Sequence, residues 1–435
     1  MLKRIRIKNY KSLKDVEVEL TPLCVLFGPN AAGKSNFLDA MQLLSRIVCA
    51  PSIKSAFDPP YRGKPLESIT AMPGGIEELL KMGSVSFSIE VDVELSQHVI
   101  DKVGKQIADM REAPHEGKKT KSTGTGYIRE SLLRYYVEIE ILPETGIFRV
   151  KDESLSPLTK DGQISKSKRP FLSKHKENHK LHLRMEGQAH PRYFDLMLDH
   201  SILSLPHYTP YYPHLAAFRE EISQYAFFYF EPRERMRDLC PIKEVRRVGA
   251  MGEDLPSFLN TLKITNPAQF RGIENALKAI IPSITGIEVK PNPFGEVDLW
   301  VREGDRLMSA RVLSEGTLRI LGLLSIFGTK TPPNLIGFEE PENGIPPKQI
   351  SLIAEILQRK ATKPYPQIIV TTHSPLLPDY TKEEYLYPCK KVNGETCISR
   401  IDTNPLFKKQ EISDALEDII HLPVSQRMVR GDFDV

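Results

Sequence analysis

Eight residues, Gly28-Pro29-Asn30-Ala31-Ala32-Gly33-Lys34-Ser35, match the pattern GxxxxGK[ST]. The pattern follows the apolar run Leu23-Cys24-Val25-Leu26-Phe27 and precedes Phe37, Leu38, Met41, Leu43 and Leu44, which recur at helical spacing. Strand, glycine-rich turn and helix start together make an anion cradle. The glycines let backbone amides approach closely, and the helix points its partially positive end at the same place. At that spacing Lys34 reaches the outer phosphates of a nucleotide, and the Ser35 hydroxyl reaches a magnesium ion.

Such a loop needs a carboxylate for the metal and another for the attacking water. Leu335-Ile336-Gly337-Phe338-Glu339-Glu340-Pro341 delivers two at the exit of an apolar strand, the end at which α/β sheets place ligands. Glu339 is assigned to magnesium, directly or through water, and Glu340 to the water as general base or orienting acceptor. Two adjacent carboxylates about 4 Å apart repel by roughly 4 kcal/mol at an effective dielectric of 20, so cations must offset them. The run Ile368-Ile369-Val370-Thr371-Thr372-His373 carries His373 to the end of another apolar strand, where imidazole can bond a phosphate oxygen or the water. Leu313-Ser314-Glu315-Gly316-Thr317 opens a further helix, with Ser314 as its cap and the Gly316 amide at its anion-favouring end.

Positioning these residues takes a sheet with two kinds of strand. Ile5 and Ile7, then Val16, Val18 and Leu20, alternate with polar residues, as do Val85 to Leu95, Tyr135 to Ile141 and Val297 to Val301; this is the pattern of half-buried antiparallel strands. Leu23 to Phe27, Leu335 to Phe338 and Gln367 to Val370 are instead continuously apolar and read as parallel strands buried on both faces. Pro346-Pro347, followed by Ile350, Ile353, Ile356 and Leu357, makes a βαβ unit of the last two. The expected fold is α/β, a mixed sheet with an antiparallel β-layer and an inserted segment. Residues 1–100 and 226–435 form the two parts of one domain, and 101–225 form a basic, partly flexible insertion.

The order of the four motifs resembles the ABC ATPase superfamily, of P-loop NTPase fold. Leu2 to Leu13 and the GKSNFLDA of Gly33 to Ala40 look like its SMC, RecF and overcoming-lysogenization-defect branch. LSEGTLR at Leu313 to Arg319 and EEPE at Glu339 to Glu342 are similar to standalone predicted ATPases related to ATPase subunits of anti-phage systems such as Septu. The resemblance implies ATP and Mg2+ as cofactors, with Gly28 to Asn36 binding the nucleotide, and a head-to-tail homodimer or higher oligomer. Ser314 and Gly316 of one copy would complete the site of the other, and Lys34, Glu340 and His373 would be catalytic. It also implies an effector partner such as a nuclease, with possible DNA or RNA contact. A RecF-like repair ATPase, a transporter ATP-binding subunit and a non-hydrolysing ATP-gated scaffold are the alternatives. Three departures stand out: Glu339 occupies a position where the superfamily usually has Asp, Glu315 replaces the second glycine of the usual signature and adds negative charge near the phosphates, and neither Gln42 nor Gln97 makes a convincing partner glutamine for the metal. The 62 residues after His373 are short for the nuclease domain of the overcoming-lysogenization-defect proteins, so no nuclease of its own is expected.

Composition narrows the setting. The 435 residues are 40% hydrophobic and 26% charged, ordinary globular values. No apolar run is long enough for a bilayer, so no membrane partner and a cytoplasmic location are expected. The formal charge of +3 neither requires nor excludes a polyanionic partner. Local charge says more. From Lys160 to Arg192, six Lys (160, 166, 168, 174, 176 and 180) and three Arg (169, 184 and 192) face three acids (Asp161, Glu177 and Glu186), a balance of +6. Four His (175, 179, 182 and 190) lie in the same run, beside Tyr193 and Phe194. It reads as a solvated loop or as a surface for nucleic-acid phosphates. Arg233, Arg235 and Arg237 are likewise a partner surface or a solvated edge. Five cysteines are odd in number and suit a reducing compartment. Asn393-Gly394 predicts a hairpin in which Cys389 faces Ile398 and Cys397 faces Lys390, on opposite faces and unable to bridge.

Overall fold

The computed structural model describes residues 1–59, 65–69, 75–112, 127–175, 180–329, 332–361, 366–401 and 423–429. The chain divides into two compact units. The first comprises Met1–Thr21, Ala31–Tyr225 and Cys389–Ser399, and the second Pro22–Asn30, Ala226–Pro388 and Arg400–Val435.

The first unit is built on an antiparallel sheet. Its spatial order is Leu13–Glu19, Leu2–Tyr10, Val85–Glu94, Leu132–Leu142, Ile147–Pro157, Leu172–Lys174, Leu181–Leu183 and Arg192–Phe194. Alternation sets its register: Ile5 lies opposite Val18 and Ile7 opposite Val16, while Phe87, Ile89 and Val91 oppose Ile139, Val137 and Tyr135. All of these are buried, so a one-residue slip would turn the whole row to solvent. On the polar face, Arg4 reaches Glu17 at 2.7 Å and Arg134 grips Asp92 with two bonds of 2.6 Å. Strands from the 101–225 stretch therefore extend the same sheet as those from the first hundred residues.

In the second unit, Leu335–Glu339, Gln367–Thr372 and Leu23–Phe27 pair in parallel, in that order. Buried side chains on both faces explain their continuous apolar character. The helix Pro347–Ala361 begins at the second proline and joins two of them. The strand Leu386–Val392 starts in this unit, pairing through Leu386 to Pro388 with Val25 to Phe27. A separate antiparallel sheet contains Cys240–Pro241, Glu296–Glu303, Ile284–Pro291 and Arg306–Ser309. The fold is mixed α/β, with parallel and antiparallel layers as expected.

The hairpin at Asn393-Gly394 forms in the first unit with Cys389 opposite Ile398 and Lys390 opposite Cys397. Cys389 is buried, Cys397 is exposed, and all five cysteines are free thiols.

Candidate nucleotide-binding and catalytic site

The strand Leu23–Phe27 ends where the chain must turn sharply. Gly28 at φ 147°, Ala31 at φ 62° and Gly33 at φ 103° hold the turn in conformations that favour glycine, and Ala31 adopts one with a Cβ. The loop is covalently continuous across the division of the chain, with Gly28, Pro29 and Asn30 in the second unit and Ala31 onward in the first.

Within the first unit, Gly33 leads directly into the helix Lys34–Ile47. Space as well as φ excludes a side chain there: a Cβ would lie 2.0 Å from Thr396 Oγ1 and 2.9 Å from Ser12 Oγ. Those two hydroxyls are 2.7 Å apart. Thr396 Oγ1 donates to the Ala32 carbonyl at 2.9 Å, and the Cys389 thiol to the same oxygen at 3.3 Å. Burial pushes the Cys389 thiol up to about 12, against the opposing pull of Lys34, so it stays a protonated donor. Asn36 donates its amide to Ser12 Oγ at 2.8 Å, which ties the helix's first turn to the loop's supports. Lys34 is 7% exposed. Ser12, Cys389 and Thr396, none of them in the loop motif, fix its backbone; the only signal for them in the sequence is the hairpin that delivers Cys389 and Thr396.

In the second unit, the strand carrying His373 lies between the loop strand and the carboxylate strand. Glu339 is the last residue of its strand, level with Thr371. Glu340 follows at φ 50°, a left-handed conformation that costs a non-glycine residue about 1 kcal/mol or more and that the neighbouring strand enforces, because the Glu340 amide donates to the Thr371 carbonyl at 2.9 Å. The turn swings the carboxylate to His373, with Oε1 2.8 Å from Nδ1. Oε2 lies 3.5 Å from the Asn343 amide, at the limit of hydrogen bonding. The two residues assigned separately from sequence are thus one hydrogen-bonded pair.

Behind them sits Glu342, 4% exposed, bonded through Oε1 to the Thr372 hydroxyl. Desolvation raises its carboxyl above the ordinary range. Its Oε2, the Arg319 Nε and the Thr371 hydroxyl are buried without hydrogen-bond partners among the described residues. Burial depresses the Arg319 guanidinium, while Glu315, Glu340 and Glu342 act in the opposite direction. Arg319, a residue to which the sequence reading gave no role, thus brings positive charge to Glu340 and Glu342.

Ser314 caps the helix Glu315–Phe327, its Oγ accepting from the Thr317 amide at 3.1 Å. Gly316 packs so tightly that a Cβ would come within 2.6 Å of the Gly344 carbonyl, beside the turn that follows the carboxylates. Glu315 does not stand unopposed: Arg233 Nε meets it at 2.6 Å, and that hydrogen bond lowers its pKa. Arg237 donates to the carbonyls of Arg311 at 3.2 Å and Leu313 at 2.8 Å, immediately ahead of Ser314. Two of the three arginines read as a surface run are thus braces for this helix start.

The donors at the carboxylate end are hard oxygens, which suits Mg2+. Among the described residues no three His, Cys, Asp or Glu side chains form a metal cage; Mg2+ is ordinarily held by one or two carboxylates together with phosphate oxygens, so the residues present fit that mode.

A family model described as "AAA ATPase domain" matches residues 1–197. A second, "AAA domain, putative AbiEii toxin, Type IV TA system", matches residues 225–379. Over 55 residues the chain is 44% identical to an OLD nuclease of Thermus scotoductus (strain ATCC 700910 / SA-01). These matches support an ATPase of the SMC, RecF and overcoming-lysogenization-defect-like branch. The match to the nuclease covers 13% of this chain and 10% of that protein. Among solved structures, an SMC head bound to the C-winged helix domain of ScpA is similar at 12% identity, with 91% of this chain and 96% of that one covered and a TM-score of 0.49. The SMC head domain from Thermotoga maritima is similar at 14% identity, with 91% and 97% covered and a TM-score of 0.40.

Proposed function

We infer that this SMC/RecF-like ATPase binds and hydrolyses ATP between two copies of the chain, and that the resulting dimerisation controls a nucleic-acid or effector partner. The observation that carries the reading is the pair Glu340 and His373, at the exits of adjacent parallel strands, with the carboxylate on a left-handed turn. In this reading Gly28 to Asn36 cradle the phosphates. Lys34 neutralises charge on the outer phosphates, and Ser35 and Glu339 hold Mg2+. The metal, when bound, neutralises charge on the phosphate oxygens. Glu340 orients the attacking water and takes its proton. His373 holds Glu340 in place by donating from Nδ1, and Nε2 of that neutral ring is left as an acceptor for a water proton. Ser314 and Gly316 offer a helix start to the phosphates of the opposite copy, where Arg233 moderates the charge of Glu315.

Residues 101–225 would serve as the partner-facing module of the ATPase formed by 1–100 and 226–435. The partner is an effector polypeptide such as a nuclease, a nucleic acid, or both, and an anti-phage setting fits the resemblance of the LSEGTLR and EEPE motifs. Among the described residues no helix is long and apolar enough to cross a membrane.

Phosphate release from the wild type, Lys34→Ala and Glu340→Gln tests the reading. Turnover in the wild type that is lost in both variants supports it. Equal release from all three would place hydrolysis elsewhere, and none from the wild type would favour an ATP-gated scaffold.

A further inference from the structure

Three short strands end the antiparallel sheet of the first unit, and Arg192–Phe194 is its edge. Their inward rows are apolar: Leu172, Leu181 and Leu183 are fully buried. The other face is unlike the rest of the sheet, where Arg, Asp and Glu neutralise one another across strands. Register sets Ser173 opposite His182 and His182 opposite Tyr193, and His175 continues the row. The three rings cluster, with centroids 5.5 Å apart for His182 and Tyr193, 6.0 Å for His175 and Tyr193, and 6.4 Å for the two histidines. Tyr193 is 49% exposed.

Cations surround this cluster. Lys180 pairs with Asp195 at 3.0 Å. Arg169 and Arg184, however, form no ion pair with a carboxylate among the described residues, while Lys174 and Arg192 pair by register with Leu181 and Leu183 on the other face. Arg184 is further held in place, its guanidinium 4.4 Å over the Phe171 ring and donating to the Arg169 carbonyl at 2.9 Å. The cationic neighbours are close enough to act on His182: burial first, then His175, Arg184 and Arg169, depress its imidazole. Lys176, Glu177 and His179, part of the basic run in the sequence, lie outside the described residues.

Flat rings on an exposed sheet face, flanked by two arginines that form no ion pair among the described residues, match one ligand chemistry. Bases stack on rings regardless of sequence, and the phosphates that join them meet the Arg side chains. A duplex hides its base faces and would use the cations alone; an acidic peptide would leave the rings idle. We propose that the His175, His182 and Tyr193 face, with Arg169 and Arg184, is a docking site for single-stranded nucleic acid that stacks one or two bases. This names the partner left open above, and it rests on that reading only for the link to ATP. Its test therefore omits nucleotide.

Fluorescence anisotropy of a labelled single-stranded oligonucleotide of about 20 residues, longer than the site sizes of comparable platforms, provides the test. The wild type binds the single strand in preference to the matching duplex. Tyr193→Ala and His182→Ala each weaken binding about 5- to 150-fold, the equivalent of one stacked base at ~1–3 kcal/mol. Tyr193→Phe, which keeps the ring, retains the wild-type affinity. Arg169→Gln and Arg184→Gln each flatten the logarithmic salt dependence by about 0.7. Ring-deleted variants that melt like the wild type and bind as tightly would overturn the proposal, as would equal affinity for the duplex or no binding by the wild type at low salt. Failure here with intact phosphate release would leave the ATPase reading standing, and the converse result would leave the docking site standing.

Discussion

Two carboxylates show how differently the two units use the same group. Glu153, in the antiparallel sheet of the first unit, is fully buried and closed by donors: Ser201 Oγ at 2.6 Å, Ile202 N at 2.8 Å, Tyr135 Oη at 2.9 Å and Leu203 N at 3.4 Å. Glu340, in the second unit, spends one oxygen on His373 and keeps the other almost unused, on a backbone turn that stores strain. A satisfied carboxylate organises structure, whereas one with spare acceptor capacity at a strand exit can hold and deprotonate water.

The sharpest way to break the contrast is substitution at each. Glu340→Gln should lower turnover by about 10²- to 10⁴-fold, the usual contribution of a general base, with nucleotide affinity and melting temperature near wild type. A fall in stability without a fall in phosphate release would give Glu340 the structural role instead. Glu153→Ala should leave four donors facing a cavity and cost about 3–5 kcal/mol of stability, as deleting one partner from a buried charged network does, read from the denaturant midpoint. An unchanged midpoint would mean that the donors find other partners.

His373→Ala should slow turnover about tenfold, less than Glu340→Gln, because it removes one hydrogen bond to a charged group. A loss as deep as that of Glu340→Gln would make the imidazole a direct participant. The pH response sharpens the comparison further. Burial raises the Glu153 carboxyl above its ordinary 4.5. Its favourable contribution is complete below that ordinary value and is lost as pH rises through the raised folded one. Glu153→Gln removes the titration, so its stability relative to wild type should improve as pH rises from about 4.5 through the raised folded value. A gap that does not change with pH would contradict this. The smallest effect belongs to Arg233→Ala, an exposed pairing: the fold should be unaffected, and ATP affinity should weaken slightly and mainly at low salt as Glu315 loses its partner.

The contrast also marks what could be read from the residues alone. Alternation at Ile5, Ile7, Val16 and Val18 fixed the antiparallel register, and unbroken apolar runs at Leu23 and Leu335 marked the parallel strands, because burial on one face or two writes directly into residue type. The hairpin at Asn393-Gly394 was legible for the same local reason. The supports of the phosphate loop were not. Thr396 lies 363 positions beyond Gly33, and nothing in a Ser, a Thr and a buried Cys announces that they meet. Arg233 and Arg237 looked like surface charge because their partners, Glu315 and the carbonyls before Ser314, are distant in sequence. The pairing of Glu340 with His373 depended on the order of three parallel strands and on a left-handed residue, neither of which residue type reveals.

Light scattering of Glu340→Gln with and without ATP and Mg2+, paired with phosphate release, tests the central claim most directly. The account predicts a mass that doubles when ATP and Mg2+ are added, with phosphate release suppressed at least about a hundredfold. A single-chain mass under both conditions, with release at the wild-type rate, would contradict it.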